Sequence, residues 1–232
     1  MKILSIDTSA LVFSIALTAN ETAWYLEIDS GSNSELPRHS ELIMDCIDNL
    51  FKTAYLKPEE LNMVSCMNGP GSFTGLRIGF SAAKGISLAL GIPLVAIPTL
   101  DCHAYPYSTW PGLIVPVIDA KKNCFFTAFY RNGERITEYT DSPPLKIAEE
   151  IGKIRFSREE QVFLTGPGSE ALYNELSLLV SVDYINFNPV SRRSAARELN
   201  ELAKCTKINE VCGANSGPIY LRKSDAELNW SK

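Results

Sequence analysis

The amino-acid sequence runs through the same order of features twice. An apolar run ends at Ile6-Asp7-Thr8-Ser9, and Gly69-Pro70-Gly71-Ser72 follows later, after a predicted strand and before a predicted helix. A second apolar run ends at Ile118-Asp119-Ala120-Lys121, and Gly166-Pro167-Gly168-Ser169 again stands between a strand and a helix. A repeat this long exceeds a solenoid period and predicts two related lobes. Proteins with two lobes commonly bind their ligand or partner in the cleft between them.

Hydrophobic periodicity predicts the same order of elements in both lobes. The alternation of apolar residues over 11–18 and 24–28 predicts an antiparallel meander with the strand over 2–7. Apolar residues at helical spacing predict a helix over 39–55, and a second helix over 74–90 ends at Gly91. The second lobe predicts strands over 114–118, 124–130, 136–139 and 162–164, with helices over 145–152, 170–179 and 190–203. This order is typical of the α/β class, in which each lobe is a mixed sheet with helices. We place the first lobe at residues 1–104 and the second, degenerate lobe with its C-terminal tail at 105–232.

Composition and charge narrow the class of protein. The chain has 232 residues, of which 45% are hydrophobic and 21% charged, which is enough for a buried core. No apolar run approaches the roughly 20 residues needed to cross a bilayer, and the early Asp7 excludes a signal peptide, so we expect a cytoplasmic protein that does not bind membranes. The formal net charge of −5 disfavours direct binding of nucleic acid. The six cysteines form no Cys-x-x-Cys pair, so we expect buried thiols and no zinc site.

Two polar segments are candidates for binding an anion. Gly69, Gly71 and Gly75 stand where backbone N–H groups could hold a phosphate at a helix N-terminus, although the lysine of a P-loop is absent. The same glycines could instead serve a tight turn and close helix packing. Asp7-Thr8-Ser9 could hold a phosphate or a metal, or could form a turn capped by its own side chains. The residues alone leave these alternatives open.

Histidines are too few to support a metal site or a catalytic base. The chain contains only His39 and His103, and residue 43, one helical turn after His39, is Ile43. A His-x-x-x-His pair is therefore absent, and no nucleophile-elbow motif is present. We expect no metal ligands and no catalytic residues.

A long segment resembles the signature of a known family. Residues 69–79, Gly-Pro-Gly-Ser-Phe-Thr-Gly-Leu-Arg-Ile-Gly, are similar to the hallmark of the TsaB (YeaZ) family of bacterial tRNA threonylcarbamoyladenosine biosynthesis proteins. Three further segments agree, namely Ile3-Leu4-Ser5-Ile6-Asp7-Thr8-Ser9, His39-Ser40-Glu41, and residues 218–227 near the C-terminus. Together these segments span the chain.

The resemblance implies both a fold and a function. The fold is that of actin, hexokinase and the heat-shock ATPases, with two duplicated lobes. The function is a part in attaching a threonylcarbamoyl group to the adenosine beside the anticodon of tRNA, a reaction in which the sister protein TsaD carries the metal and the chemistry. A member of this family is the non-catalytic partner of TsaD, the ATPase TsaE joins them, and tRNA is reached only through the complex. Alternatives are a glycoprotease-like metallopeptidase or a weak nucleotide-binding ATPase of the same fold.

Departures from the ATP-binding relatives weaken the case for a cofactor. Those relatives place glycine after the aspartate of the first strand, as Asp-x-Gly-Thr, whereas this chain has Asp7-Thr8-Ser9-Ala10 in the first lobe and Asp119-Ala120-Lys121-Lys122 in the second. Phosphates could not approach the backbone as closely, so we expect no tightly bound cofactor. ATP or ADP at the interface with TsaD remains an expectation. The candidate residues for weak nucleotide binding are Asp7, Thr8, Ser9, Gly69, Gly71, Ser72 and Gly75.

The resemblance also predicts the docking helices. The helices over 39–55 and 74–90 are expected to pack against the equivalent helices of TsaD, because small residues in the second permit a short interaxial distance. The same apolar surface is expected to pair two copies of the free chain as a homodimer. The predicted interface residues are His39, Leu42, Arg77, Ile78, Gly79 and Ala82.

Overall fold

The chain folds into two compact units. The computed structural model describes residues 1–29, 39–188, 194–206, 212 and 216–222. Unit 1 comprises Met1–Cys102 and Ser194–Ile219, and unit 2 comprises His103–Arg193 and Tyr220–Lys232. This division differs from the predicted lobes, because the segment 194–219, which we assigned to the second lobe, packs with the first.

Unit 1 is built on a five-stranded mixed sheet. The order of its strands is β3-β2-β1-β4-β5, with antiparallel pairing among the first three and parallel pairing from β1 through β4 to β5. The elements in chain order are β1 (Lys2–Asp7), β2 (Val12–Ala19), β3 (Thr22–Asp29), α1 (His39–Ala54), β4 (Met63–Met67), α2 (Phe73–Leu90), β5 (Leu94–Ile97) and α3 (Thr99–Ala104). The predicted meander and both predicted long helices are therefore present.

Unit 2 repeats this plan in a reduced form. The path β10-β7-β6-β11-β12 runs through its sheet in the same relative order, again antiparallel on one side and parallel on the other. The elements of unit 2 are β6 (Leu113–Asp119), β7 (Phe125–Thr127), β8 (Tyr130–Arg131), β9 (Glu134–Arg135), β10 (Thr140–Ser142), α4 (Pro144–Ile154), β11 (Val162–Thr165), α5 (Ser169–Ser177) and β12 (Ile185–Phe187). The last helix of the chain, α6 (Ala196–Cys205), belongs to unit 1. The shared order confirms the duplicated α/β fold.

The third strand of unit 2 lies elsewhere than predicted. The expected hairpin turn forms at Asn132 and Gly133, both with positive φ, but the strands on its two sides have only two residues each. The Thr137 side-chain oxygen then accepts the backbone N–H of Phe129 at 3.0 Å, so a side chain replaces a ladder partner. The predicted strand over 136–139 was therefore wrong, and pairing with β7 resumes only in β10.

The strand β1 is buried on both faces, which explains why unit 1 has two cores. Leu4 and Ile6 point toward α1 and α2, whereas Ile3 points toward α6 and packs with Leu199. Asn200 on α6 donates to the Ile3 carbonyl oxygen at 3.3 Å and to Ser5 Oγ at 2.8 Å. The helix predicted over 190–203 thus begins at residue 196, while residues 190–193 lie outside the described part. The apolar face of α6 packs in unit 1 because the side of β1 that carries Ile3 is also apolar.

The tail that we predicted as a loop or an edge is fastened within each unit. In unit 1, the Ile219 N–H donates to the Asn68 carbonyl oxygen at 2.6 Å. In unit 2, the Arg222 guanidinium donates to both carboxylate oxygens of Asp141, at 2.6 and 2.8 Å, and to the Ala120 carbonyl oxygen at 2.9 Å. Among the helices that the structure describes, none is long and apolar enough to cross a membrane.

The Arg222 contacts give a test of the fold. We expect Arg222→Met to lower the free energy of unfolding by about 2 kcal/mol, because the Asp141 side chain, only 18% exposed, would lose a bidentate partner. Lys121→Met is the matched control, since the Lys121 side chain is 79% exposed beside Asp119 and its ion pair contributes less than about 1 kcal/mol. Urea unfolding followed by circular dichroism measures both. Equal losses in the two variants would contradict the structural role of Arg222.

Candidate docking face and glycine-rich turn

The glycine-rich turn connects β4 to α2. Gly69 has a φ of +104° and its carbonyl oxygen accepts the Thr99 N–H at 2.9 Å, so the turn is held against the start of α3. Ser72 is the N-cap of α2, and its side-chain oxygen accepts the Gly75 N–H at 3.2 Å. An N-cap of this kind satisfies one of the backbone donors that the first helical turn leaves without a partner.

The tip of the β1–β2 hairpin lies directly on the glycines of this segment. A Cβ atom at Gly75 would lie 2.0 Å from the Thr8 carbonyl oxygen, and one at Gly71 would lie 2.6 Å from the Ser9 carbonyl oxygen. A Cβ atom at Gly79 would lie 2.2 Å from Thr8 Oγ1. Real Cβ atoms do not come this close to oxygen, so the three glycines are required for the hairpin to touch the helix. The glycines thus serve a close approach of two backbone segments.

The polar groups of the hairpin tip are paired within the chain. Asp7 is buried, and its Oδ1 accepts the Ser9 N–H at 2.9 Å and the Ser9 hydroxyl at 2.6 Å. Its Oδ2 accepts the Ala195 N–H at 2.8 Å, and the Ser72 N–H donates to the Ser9 carbonyl oxygen at 2.7 Å. This geometry is the turn capped by its own side chains that the sequence left as an alternative. The structure brings all seven candidate nucleotide residues into this one cluster, and nucleotide binding by them stays a prediction.

A groove between α1 and α2 is the candidate docking site. Its walls are mostly apolar, and it opens onto the outward side of α2. The residues that line it are Ile43, Met44, Phe73, Thr74, Arg77, Ile78, Ser81 and Ala82. The Arg77 guanidinium stacks over the Phe73 ring, 3.9 Å from the ring centroid, and so covers one end of the groove with a cation.

The outward face of α2 carries few charges: Arg77 is exposed near the start of the helix, and Lys84 is only partly exposed. Leu88 is 70% exposed, and nothing lies within 4 Å of a Cβ atom built on Gly85. Ser81, Gly85 and Ala89 follow one another at intervals of four residues and are all exposed, so they line one stripe of small side chains. The helix contains no aspartate or glutamate, whereas α1 exposes three acidic side chains, Glu41, Asp45 and Asp48.

The predicted interface residues divide into two groups. Arg77, Ile78 and Ala82 line the groove, and His39 begins α1, although its side chain lies outside the described residues. Leu42 does not line the groove but is partly buried against the first core, whereas its neighbour Ile43 belongs to that core and also lines the groove; a role of Leu42 in the interface stays a prediction. Gly79 does not line the groove, because it is buried against Thr8 on the inner face of α2. Its small size serves the packing within unit 1.

The sequence reasoning missed some of the groove residues. The residues that line the groove and were not predicted are Ile43, Met44, Phe73, Thr74 and Ser81. A helical spacing of three and four residues, counted in both directions from Ile78, points to Thr74 and Ser81. That signal was present in the sequence but was obscured by small residues on both faces of the helix.

Burial raises the pKa of several ionisable groups in unit 1. All six cysteines carry free thiols, and burial raises the pKa of the Cys66 and Cys102 thiols. Burial also raises the pKa of Glu198 in the first turn of α6, and the nearby carboxylates of Asp7 and Glu27 add to that effect. Within the described residues, no three His, Cys, Asp or Glu side chains are placed to hold a metal ion.

Comparison with solved structures defines the class of protein. YeaZ from Pseudomonas aeruginosa superposes with a TM-score of 0.74 at 21% sequence identity, covering 95% of this chain and 99% of that chain. A Bacteroides thetaiotaomicron protein with an actin-like ATPase fold and unknown function superposes with a TM-score of 0.50 at 11% identity, covering 88% and 96%. The duplicated sheets therefore belong to the actin-like ATPase class of folds, as the sequence predicted.

Sequence comparison then gives the family. The family model described as TsaD, tRNA N6-adenosine threonylcarbamoyltransferase, matches residues 35–230. The tRNA threonylcarbamoyladenosine biosynthesis protein TsaB of Escherichia coli (strain K12) is 30% identical over 243 residues, covering 100% of this chain and 98% of that protein. TsaB of Bacillus subtilis (strain 168) is 26% identical over 232 residues, covering 99% and 98%. The chain belongs to the TsaB (YeaZ) family, within the wider TsaD family.

The raised pKa of Glu198 predicts a pH dependence of stability. The native state holds the proton of the Glu198 carboxyl more tightly than the unfolded chain does. The stability that this proton contributes is therefore complete below the ordinary glutamate pKa and is lost as the pH rises through the raised pKa of Glu198. Glu198→Gln carries no charge to bury, so we expect it to gain stability relative to the parent between about pH 4 and pH 7, by less than about 1 kcal/mol. Thermal unfolding across that range measures the difference. A difference in unfolding midpoint between parent and variant that stays constant across this pH range would contradict the raised pKa of Glu198. Glu201→Gln on the same helix is the control.

Proposed function

We propose that the chain is the non-catalytic partner of TsaD in tRNA threonylcarbamoyladenosine biosynthesis, and that it docks through the α1–α2 groove and the outward face of α2. The observation that carries this proposal is an exposed helix face on which small and apolar side chains follow Arg77, whereas exposed helix faces usually carry many charged side chains. Contiguous apolar surface of this kind is typical of protein interaction sites.

The shape of the face favours another helix as the occupant. Ser81, Gly85 and Ala89 leave a shallow track along α2, and small residues allow two helix backbones to approach closely. Met44 and Leu88 stand exposed on either side of the track and could interdigitate with side chains of a partner. A helix pair of TsaD fits this description, because the resemblance implies that the two proteins share a fold and so share equivalent helices.

Charge adds direction to the proposed contact. Arg77 lines the groove with a cation, while α1 exposes the acidic side chains of Glu41 and Asp45. An oriented partner would place an acidic group near Arg77 and basic groups along α1, since complementary charges favour one register over others. The proposal extends to TsaE as a further member of the complex and to tRNA held through that complex. Homodimer formation by the free chain, and ATP or ADP at the interface with TsaD, stay predictions.

A bulky side chain on the outward face tests the proposal. Ser81→Trp places an indole in the track of small residues, and we expect it to weaken association with TsaD by at least about tenfold, because overpacking a close helix contact is costly. Asn49→Trp is the matched control, since Asn49 is an exposed polar residue of α1 that does not line the groove. Calorimetric titration with purified TsaD measures both affinities.

The same two variants extend the test to activity. With TsaD, TsaE, ATP and tRNA present, we expect Ser81→Trp to reduce threonylcarbamoyl transfer in parallel with its loss of affinity, while Asn49→Trp supports transfer. Because both positions are exposed, we expect both free variants to unfold near the midpoint temperature of the parent. That result would show that misfolding does not cause the loss of binding. Full binding and full transfer by Ser81→Trp would contradict the docking face, and absence of any binding by the parent chain would contradict the partnership itself.

A further inference from the structure

One side-chain hydrogen bond joins the tip of the β1–β2 hairpin to the start of α2. The Thr8 hydroxyl donates to the Gly75 carbonyl oxygen at 2.6 Å, and Thr8 is only 2% exposed. The accepting carbonyl belongs to the first turn of the helix and the donor comes from a distant part of unit 1. The contact is therefore a tertiary tie at the point where α2 begins.

The helix is shaped to receive this hydroxyl. A Cβ atom at Gly79 would lie 2.2 Å from Thr8 Oγ1, so the hydroxyl fills the space that a side chain would take. Gly75 and Gly79 are one turn apart on the inner face of α2, and both are buried. Thr8 and the two glycines are thus complementary in shape. A larger residue at either glycine position would not leave room for Thr8.

The start of α2 needs an external tie because its own sequence makes it weak. Each glycine within a helix lowers the helical population by about fivefold relative to alanine, and two stand in the first two turns. Those turns also carry Phe73, Thr74 and Arg77, which line the docking groove. Fraying at this end would therefore displace groove residues on the outward face, while the tie that prevents it acts from the inner face.

We propose that Thr8 is a positioning residue that holds the first two turns of α2 in register for docking, and that the signature glycines act as its receptor. The segment from Gly71 to Gly79 then serves to hold the start of α2 against the hairpin, so that α2 is in place for docking. The consequence for TsaD rests on the proposed function, whereas the effect on α2 itself does not.

The first test replaces the hydroxyl with a methyl group, which keeps the side chain β-branched but removes the hydrogen-bond donor. In Thr8→Val, we expect the amides of the first two turns of α2 to exchange hydrogen about five- to tenfold faster than in the parent, because one buried hydrogen bond is lost. Thr8→Ser retains the hydroxyl and is expected to restore most of the protection. Exchange in α4, which belongs to unit 2, provides the internal reference. Unchanged protection in Thr8→Val would overturn the proposal.

The second test separates positioning from simple packing. Gly79→Ala alone is expected to lose folded protein, because its methyl group meets the Thr8 hydroxyl. Thr8→Ala combined with Gly79→Ala removes that collision, so we expect the double variant to recover folding while α2 stays unprotected and affinity for TsaD stays about five- to tenfold below the parent value. A double variant no more stable than Gly79→Ala would overturn the steric fit. Recovery of full affinity together with full protection would show that Thr8 only fills space.

The two proposals fail in distinguishable ways. If the parent chain does not bind TsaD, the proposed function fails, and the exchange rates of the free chain still decide whether Thr8 holds α2. If the parent chain binds TsaD and Thr8→Val both binds equally well and exchanges as the parent does, the positioning role fails while the docking face stands.

Discussion

The close approach of the β1–β2 hairpin to the start of α2 is the contact on which unit 1 depends. Backbone oxygens of Thr8 and Ser9 occupy the positions where side chains of residues 75 and 71 would be, so only glycine is compatible with the observed distances. The carboxylate of Asp7 then ties the same hairpin to the start of α6. One turn thereby fixes a helix on each side of the sheet, and the two cores of the unit meet at β1.

The second unit uses the same device with different residues. A Cβ atom at Gly166 would lie 2.8 Å from the Val117 carbonyl oxygen, and the Gly168 N–H donates to that oxygen at 2.9 Å. The helix α5 that follows has nine residues against the eighteen of α2. Both units thus pack a glycine turn closely against the backbone at or just beyond the end of their first strand, whereas a long helix with a face of mostly small and apolar side chains is found only in unit 1 among the described residues.

The duplicated fold could be predicted because its signals are local. Glycine tetrapeptides and periodic apolar residues predicted both lobes and the helices α1 and α2. Long-range contacts could not be read in this way, and α6 was assigned to the wrong lobe because its partner Ser5 is 195 residues from Asn200. The orientation of α2 was also ambiguous, since small residues lie on both faces. Gly79 makes room for Thr8 on the inner face, whereas Ala82 lines the groove.

A structure of the chain bound to TsaD, determined with ATP and Mg²⁺ present, would show whether TsaD docks on the outward face of α2. We expect helices of TsaD to cover Thr74, Ser81 and Gly85, while the hydrogen bonds of Asp7, Thr8 and Ser9 within the chain persist unchanged. A complex in which that face of α2 remains open to solvent, and in which nucleotide phosphates displace those hydrogen bonds at the glycine-rich turn, would contradict that expectation.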